Sequence, residues 1–162
     1  MPSSILVALR VAAPPERAFD VFTREIGLWW RHNGLFQFTR RGTGTLALEP
    51  GESGRLTETL ADGSVFEIGR VQVWQPPERL VLTWRQESFA PDQRTEVHVS
   101  FEAVGPPTNL ETRVTVQHFG WDEIPSASVA KHGFPEPVFL QRHAEYWQAL
   151  LRSLDARLSD DA

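Results

Sequence analysis

Gly69-Arg-Val-Gln-Val-Trp-Gln-Pro-Pro-Glu-Arg-Leu-Val-Leu-Thr-Trp84 is the stretch that decides how this chain folds. Two β-rich runs flank Pro76-Pro77. Proline has no N–H to give to a strand ladder, so the pair forces a turn between them. Val65–Trp74 and Arg79–Glu87 therefore read as a hairpin. The same pattern repeats outward. Upstream, Arg55–Leu60 runs into Asp62-Gly63, a strong hairpin dipeptide, and Thr45–Leu48 precedes it across the turn-rich residues 49–54. Downstream, Arg94–Ala103 and Asn109–His118 are joined across Gly105-Pro106-Pro107.

One further strand, residues 4–11, stands before the helices. Pro14-Pro15 suits the first turn of a helix, where a fixed φ helps and no N–H is needed. Ala18, Phe19, Val21 and Phe22 give that helix an apolar stripe. Glu25–Trp30 reads as a second short helix. Neighbouring helical residues diverge by about 100°, so Trp29 and Trp30 are expected to point apart, one to a cavity entrance and one outward. Glu136–Leu158 is a long amphipathic helix with Leu140, His143, Trp147, Leu150, Leu151, Leu154 and Leu158 on one arc. Its apolar face needs the concave side of a sheet. Residues 121–137 lack periodicity and are expected to form a mobile loop that gates a cavity. The fold class is α+β: a curved antiparallel sheet of six to seven strands around the C-terminal helix, with two short helices after the first strand.

At 162 residues the chain suits one domain, residues 1–162, large enough for a real core. Six Trp and ten Phe against one Tyr must fill a core, line a cavity or cover a partner. A net charge of −5, with Arg40-Arg41 the sole adjacent basic pair, argues against a nucleic-acid partner. The absence of Cys removes disulfides, thiolate chemistry and Cys-based zinc sites, and fits a cytoplasmic protein. Ile5–Leu9 is too short for a signal segment, and no apolar run approaches the roughly 20 residues of a membrane span. Asp160-Asp161 reads as a solvated tail.

In their order and spacing, Ala13-Pro14-Pro15-Glu16-Arg17, Trp29-Trp30, Asp62-Gly63, Gly69 with Val71, Pro76-Pro77-Glu78-Arg79-Leu80, Thr83-Trp84 and Tyr146–Leu151 resemble the Activator of Hsp90 ATPase homologue 1-like family. That family is a branch of the START-like (SRPBCC, Bet v 1-like, helix-grip) superfamily. The resemblance spans nearly the whole chain. It implies a deep cavity between sheet and helix for an apolar or amphipathic small molecule, and a connection to stress response. Hydrolases, cyclases, lipid carriers and co-chaperones share this architecture, so the fold does not choose among them.

Alternation along the strands supplies the candidate site. Val97, Val99 and Phe101 should face inward, as should Val114, Val116 and His118, and Leu80, Leu82 and Trp84. His118 and, from the helix, His143 are then titratable groups on the inner face. They form either a polar pair at the cavity mouth that orients a ligand or moves a proton, or ordinary hydrogen-bonded imidazoles. Glu58 shares a face with Leu56 and Leu60. Buried there it is a carboxyl of raised pKa that contacts a polar ligand group, unless Arg55 or Arg70 pairs with it. Trp84 and Trp147 either stack on a ligand ring or pack as core. The histidines at 32, 98, 118, 132 and 143 show no metal-ligand spacing, and no catalytic motif or cofactor signature is present.

The expected liners are Trp30, Glu58, Trp84, His118, His143 and Trp147, around an apolar, aromatic or lipid-like molecule. No metal, cofactor, nucleic acid or membrane span is expected. The alternatives are an Hsp90-activator-like interaction module with a chaperone or other protein partner, and a polyketide cyclase or hydrolase type of enzyme with Glu58 or His118 as acid/base.

Overall fold

The computed structural model describes residues 4–160, so Asp161 and the outer ends of the expected domain lie outside it. Strand β1 (Ser4–Val11) leads into helices α1 (Pro15–Arg24) and α2 (Ile26–Trp29). Then come β2 (Thr45–Leu48), β3 (Arg55–Thr59), β4 (Val65–Gln75), β5 (Arg79–Trp84), β6 (Thr95–Val104), β7 (Glu111–Phe119) and α3 (Glu136–Asp160). The strands form one antiparallel sheet in the order β1-β7-β6-β5-β4-β3-β2. Six consecutive strands meander, and β1 closes against β7 with Ile5 opposite His118 and Val7 opposite Val116. This is the helix-grip architecture that the turn signals and the long helix predict.

The inner rows follow strand alternation. Leu80, Leu82, Trp84, Val97, Val99, Phe101, Val114, Val116 and His118 are all buried. Helix α1 begins where proline permits, with Pro14 extended before it and Pro15 in its first turn. Its buried side includes Ala18, Phe19, Val21 and Phe22. Helix α3 packs against β1, α1 and α2 and buries Phe139, His143, Tyr146, Trp147, Leu150, Leu151, Leu154 and Leu158. Leu140, expected on that stripe, is half-buried; Phe139 and Tyr146 take deep positions instead.

Two expectations are corrected. Trp29 and Trp30 are both buried, at 1% and 6% exposure. The reason is local. Helix α2 ends at Trp29, and Trp30 has extended backbone (φ −62°, ψ 135°), so the helical divergence between neighbours no longer applies. The segment after Trp121 is not a loose gate. It contains two short 3-10 turns, Trp121–Glu123 and Val129–Lys131, and buries Trp121, Ile124 and Ala130. Lys131, the chain's sole lysine, is 2% exposed and donates to Trp121 O at 2.8 Å, Ile124 O at 2.7 Å and Glu136 Oε2 at 2.8 Å. All three ammonium protons are used, which is what makes a buried cation tolerable.

The sheet curls because β4 is bent. Its pairing register shifts once against β3, between Leu56 and Thr57, and once against β5, between Val71 and Val73. Such bulges add twist and bend the strand that carries them. Gly69 lies between the shifts, pressed so close to β5 that an added Cβ would stand 1.7 Å from Thr83 O. The next N–H, that of Arg70, donates to Thr83 Oγ1 at 2.8 Å. A side chain at position 69 is thus incompatible with the bend. Gly69→Ala is expected to destabilise the fold by about 2–3 kcal/mol, as overpacking against backbone does, and to lower Tm by about 5–10 °C in a chain of this size. An unchanged Tm in calorimetry would show that the bend does not depend on this contact.

Candidate functional site

The space between sheet and α3 is filled by aromatic rings. Trp30, Trp84 and Trp147 form a triangle, with ring centroids 5.7 Å apart for Trp30–Trp84 and Trp84–Trp147 and 5.9 Å for Trp30–Trp147. Phe38 packs on Trp84 at 5.2 Å and on Trp30 at 6.0 Å. Phe36 stacks nearly parallel on His143 at 4.4 Å and on Tyr146 at 5.3 Å. The rings expected to line an open cavity touch one another instead.

His118 is fully buried rather than at a mouth. Its Nδ1 lies 3.2 Å from Trp147 Nε1, and an indole nitrogen only donates, so Nδ1 carries the lone pair. The ring proton is therefore on Nε2, which donates to Thr95 Oγ1 at 2.7 Å; that hydroxyl donates onward to Trp84 O at 3.0 Å. Both ring nitrogens are committed to these bonds. Burial, reinforced by the neighbouring His143, holds its pKa well below the ordinary value near 6.5. Burial also drives His143 down to about 3. The two rings lie 5.0 Å apart.

Glu58 does face inward, at 1% exposure beside buried Leu56 and Leu60. The arginines expected as its alternative partners are engaged elsewhere, Arg55 with Glu49 and Arg70 with Glu67. Its Oε2 accepts from Gly44 N at 3.0 Å and lies 3.8 Å from His32 Nδ1. The other oxygen, Oε1, is buried and has no hydrogen-bond partner among the described residues. The same holds for His143 Nδ1, while Trp30 Nε1 lies against the Tyr146 phenol without a well-formed bond to it. These atoms surround Tyr146, whose ring centroid lies 6.1 Å from that of Trp30 and 6.3 Å from that of His143. Burial raises the Tyr146 phenol, the Trp30 indole N–H works against that rise, and the Glu58 charge adds to it. The Tyr146 hydroxyl donates to Arg31 O at 2.5 Å.

The structure thus brings Trp30, Trp84, His118, His143 and Trp147 into one cluster, with Glu58 at its border near Tyr146. Sequence reasoning missed His32, Gly44, Phe36, Phe38 and Tyr146. Most lie on residues 31–44, a connection with no period to reveal which side chains turn inward. On the outer side of that connection, where it meets the β5–β6 loop and the Val129–Lys131 turn, lies an open cleft of about 570 Å³ that includes Phe38, Arg40 and Gln86 in its lining. Among the described residues no three metal-ligating side chains converge, and no helix is long and apolar enough to cross a membrane.

A curled antiparallel sheet gripping a long C-terminal helix over an aromatic interior defines a helix-grip protein of the START-like class. Within that class the chain belongs to the Activator of Hsp90 ATPase homolog 1-like protein family, whose model matches residues 12–159. Among solved structures, a protein of Mesorhizobium loti is 17% identical, with 99% of each chain covered and a TM-score of 0.64. An HSP90 activator from Plasmodium falciparum is 21% identical over 96% of each chain, with a TM-score of 0.63. An anthrahydroquino-Gama-pyrone synthase is 28% identical over 96% of this chain and 88% of its own, with a TM-score of 0.51. No curated protein matches.

The buried imidazoles make a pH prediction. The unfolded chain takes up protons on these histidines below about pH 6.5, whereas the folded chain holds both neutral far below that. Their contribution to stability is therefore complete above pH 6.5 and is lost as pH falls towards 3, each group adding up to about 1.4 kcal/mol per pH unit. In NMR titrations the ring signals of His118 and His143 are expected to stay unchanged from pH 8 to 5. A midpoint near 6.5 for either ring would contradict the buried, neutral assignment.

Proposed function

We propose that this protein binds an apolar, aromatic small molecule in the grip between sheet and α3, working as a single cytoplasmic domain. The observation that carries this reading is a group of buried polar atoms around Tyr146 without a well-formed partner, Trp30 Nε1, Glu58 Oε1 and His143 Nδ1, within an aromatic lining. A buried polar atom left unpaired costs about 1–3 kcal/mol. A core selected for stability alone would be better served by Phe, Leu and Gln at these positions. Rings supply a surface that a ligand ring can replace face for face, and the unpaired atoms supply polar contacts that fix its orientation. The 28% identity to a synthase named for a fused aromatic product supports the same ligand class. Access follows from residues 30–44, which carry Trp30, Phe36 and Phe38 into the interior. If the site also performs cyclase-type chemistry, Glu58 is the residue with a free acceptor for the proton, because His118 has none.

A neutral probe, N-phenyl-1-naphthylamine, tests the reading by thermal shift and fluorescence titration. At about 100 times its Kd it is expected to stabilise the fold by about 2.7 kcal/mol. Trp30→Phe keeps an aromatic ring and Glu58→Gln keeps the side-chain shape while each removes one polar contact, so a ligand that uses those atoms should bind about 2- to 10-fold more weakly. The probe itself reports entry into the ring cluster, and a carbonyl-bearing analogue such as 1-naphthaldehyde reports the polar contacts. No stabilisation by either compound up to its solubility limit would overturn the proposal.

A second reading, a protein-interaction module, is supported by the family's description as an Hsp90 ATPase activator. It predicts stimulation of a purified Hsp90 ATPase by the protein, undiminished when Trp30→Phe or Glu58→Gln is introduced.

A further inference from the structure

The cleft outside residues 34–40 has features that the interior site does not explain. Its floor is apolar, formed by the buried side chains of Phe38 and Ala130, with Leu35 at the side. Directly behind Phe38 stand Trp84 and Trp30, so one buried ring separates the cleft from the aromatic interior. Gln86 also lines it. This side chain is 94% buried, since its exposure is 6%, yet its amide has no hydrogen-bond partner among the described residues. The amide atoms are not fully occluded, and Gln86 lines the cleft, so they face its space.

The adjacent arginines differ in the same place. Arg41 is committed, donating to Ser64 Oγ at 3.2 Å and to Glu87 Oε2 at 3.0 Å. That pair also neutralises Glu87, the carboxylate in the cleft wall. Arg40 lines the cleft and has no ion-pair or hydrogen-bond partner among the described residues. A guanidinium with its fork of donors free, a buried amide open to the same space and an aromatic floor suit one kind of ligand group. At about 570 Å³ the cleft holds a ring system and its substituent.

We propose that this cleft is an anion-recognising subsite, in which Arg40 and Gln86 hold the carboxylate or sulfonate of an aryl acid whose rings lie on Phe38. The inference rests on the small-molecule reading above and adds the chemical class: an aromatic ligand bearing an acidic group, held at the outer end of the grip.

Two probes that share one skeleton separate the parts. 8-Anilinonaphthalene-1-sulfonate carries the anion and N-phenyl-1-naphthylamine lacks it. At physiological salt, where the Debye length is about 8 Å and long-range attraction is screened, Arg40→Gln is expected to weaken the sulfonate probe about tenfold. The neutral probe should change by less than about twofold, as expected of a contact it does not make. Arg113→Gln makes the same charge change on an arginine paired with Glu102 and should leave both probes unaffected. Gln86→Leu should weaken the sulfonate probe about threefold, and Arg40→Gln alone decides the matter should that buried variant fail to fold. An equal effect of Arg40→Gln on both probes, or no effect on the sulfonate, overturns the subsite while leaving the small-molecule reading intact. Failure of both probes to bind the wild-type protein overturns both.

Discussion

The hydrogen bond from Trp147 Nε1 to His118 Nδ1, 3.2 Å long, fixes more of this molecule than any other contact. It joins α3 to β7 across the dry interior. Because indole can only donate, the bond sets the histidine tautomer, which sends the other ring proton to Thr95 on β6 and the Thr95 proton to the Trp84 carbonyl on β5. Helix and three adjacent strands are thereby connected through a chain in which each proton has one place. A single such bond contributes only about 1 kcal/mol net, but removing a member strands a buried partner at the larger desolvation penalty. The same chain explains why a histidine sits at the centre of an apolar interior without titrating. Its neutrality is required by the Trp147 indole, which donates to the Nδ1 lone pair.

How much of this was legible in the sequence depended on how local the cause was. Pro76-Pro77, Asp62-Gly63 and the alternation in β5, β6 and β7 act within a few residues, and they gave the strands and their inner faces. Trp29-Trp30 misled because the rule for neighbours in a helix was applied across a helix end, where Trp30 is extended. For Glu58 the alternation named the face it shares with Leu56 and Leu60 but not whether that face is inward, and its partners were not foreseen. Arg55 and Arg70 are satisfied by glutamates nearby in sequence, whereas Gly44 and His32 reach Glu58 only through the course of an irregular connection. Phe36 and Phe38 belong to the same blind spot. A hydrophobic pair two residues apart in a segment without period signals neither strand nor helix. Lys131 shows the converse: a sole lysine in a Ser- and Pro-rich stretch reads as surface, and only three-dimensional convergence of two carbonyls and Glu136 reveals it as an internal tie.

Lys131 and Glu58 are both buried charge-bearing side chains, and their contrast separates scaffold from site. Each proton of the lysine is matched, as expected where a buried charge serves structure. The glutamate is half matched, with one oxygen on Gly44 N and the other unpaired. Incomplete satisfaction in a dry interior works against stability; it recurs at Arg85, Trp121 and Glu136, and three instances, at Glu58, Trp30 and His143, gather around Tyr146, where the proposed ligand would supply the missing partners.

The interior consequently has two halves with different tolerances for change. On the side of β5, β6 and β7, the Trp84–Thr95–His118–Trp147 chain is complete and resists displacement. On the side of residues 30–44, the Trp30 and Phe36 side chains are held by ring contacts, while the backbone of the connection is tied by Tyr146 donating to Arg31 O and Glu87 N–H donating to Phe38 O. Displacing those rings breaks no hydrogen bond of the completed chain, while the exchanged aromatic surface is of the same kind. In the proposed binding mode the ligand therefore replaces the connection's rings and leaves the sheet-to-helix weld in place. A rigid frame on one wall and a replaceable plug on the other is the arrangement by which one fold can serve ligands of different shape. It also places Arg40 and Gln86 at the plug's outer face, where an acidic group would remain near solvent while the rings to which it is attached lie on Phe38, the ring next to the interior.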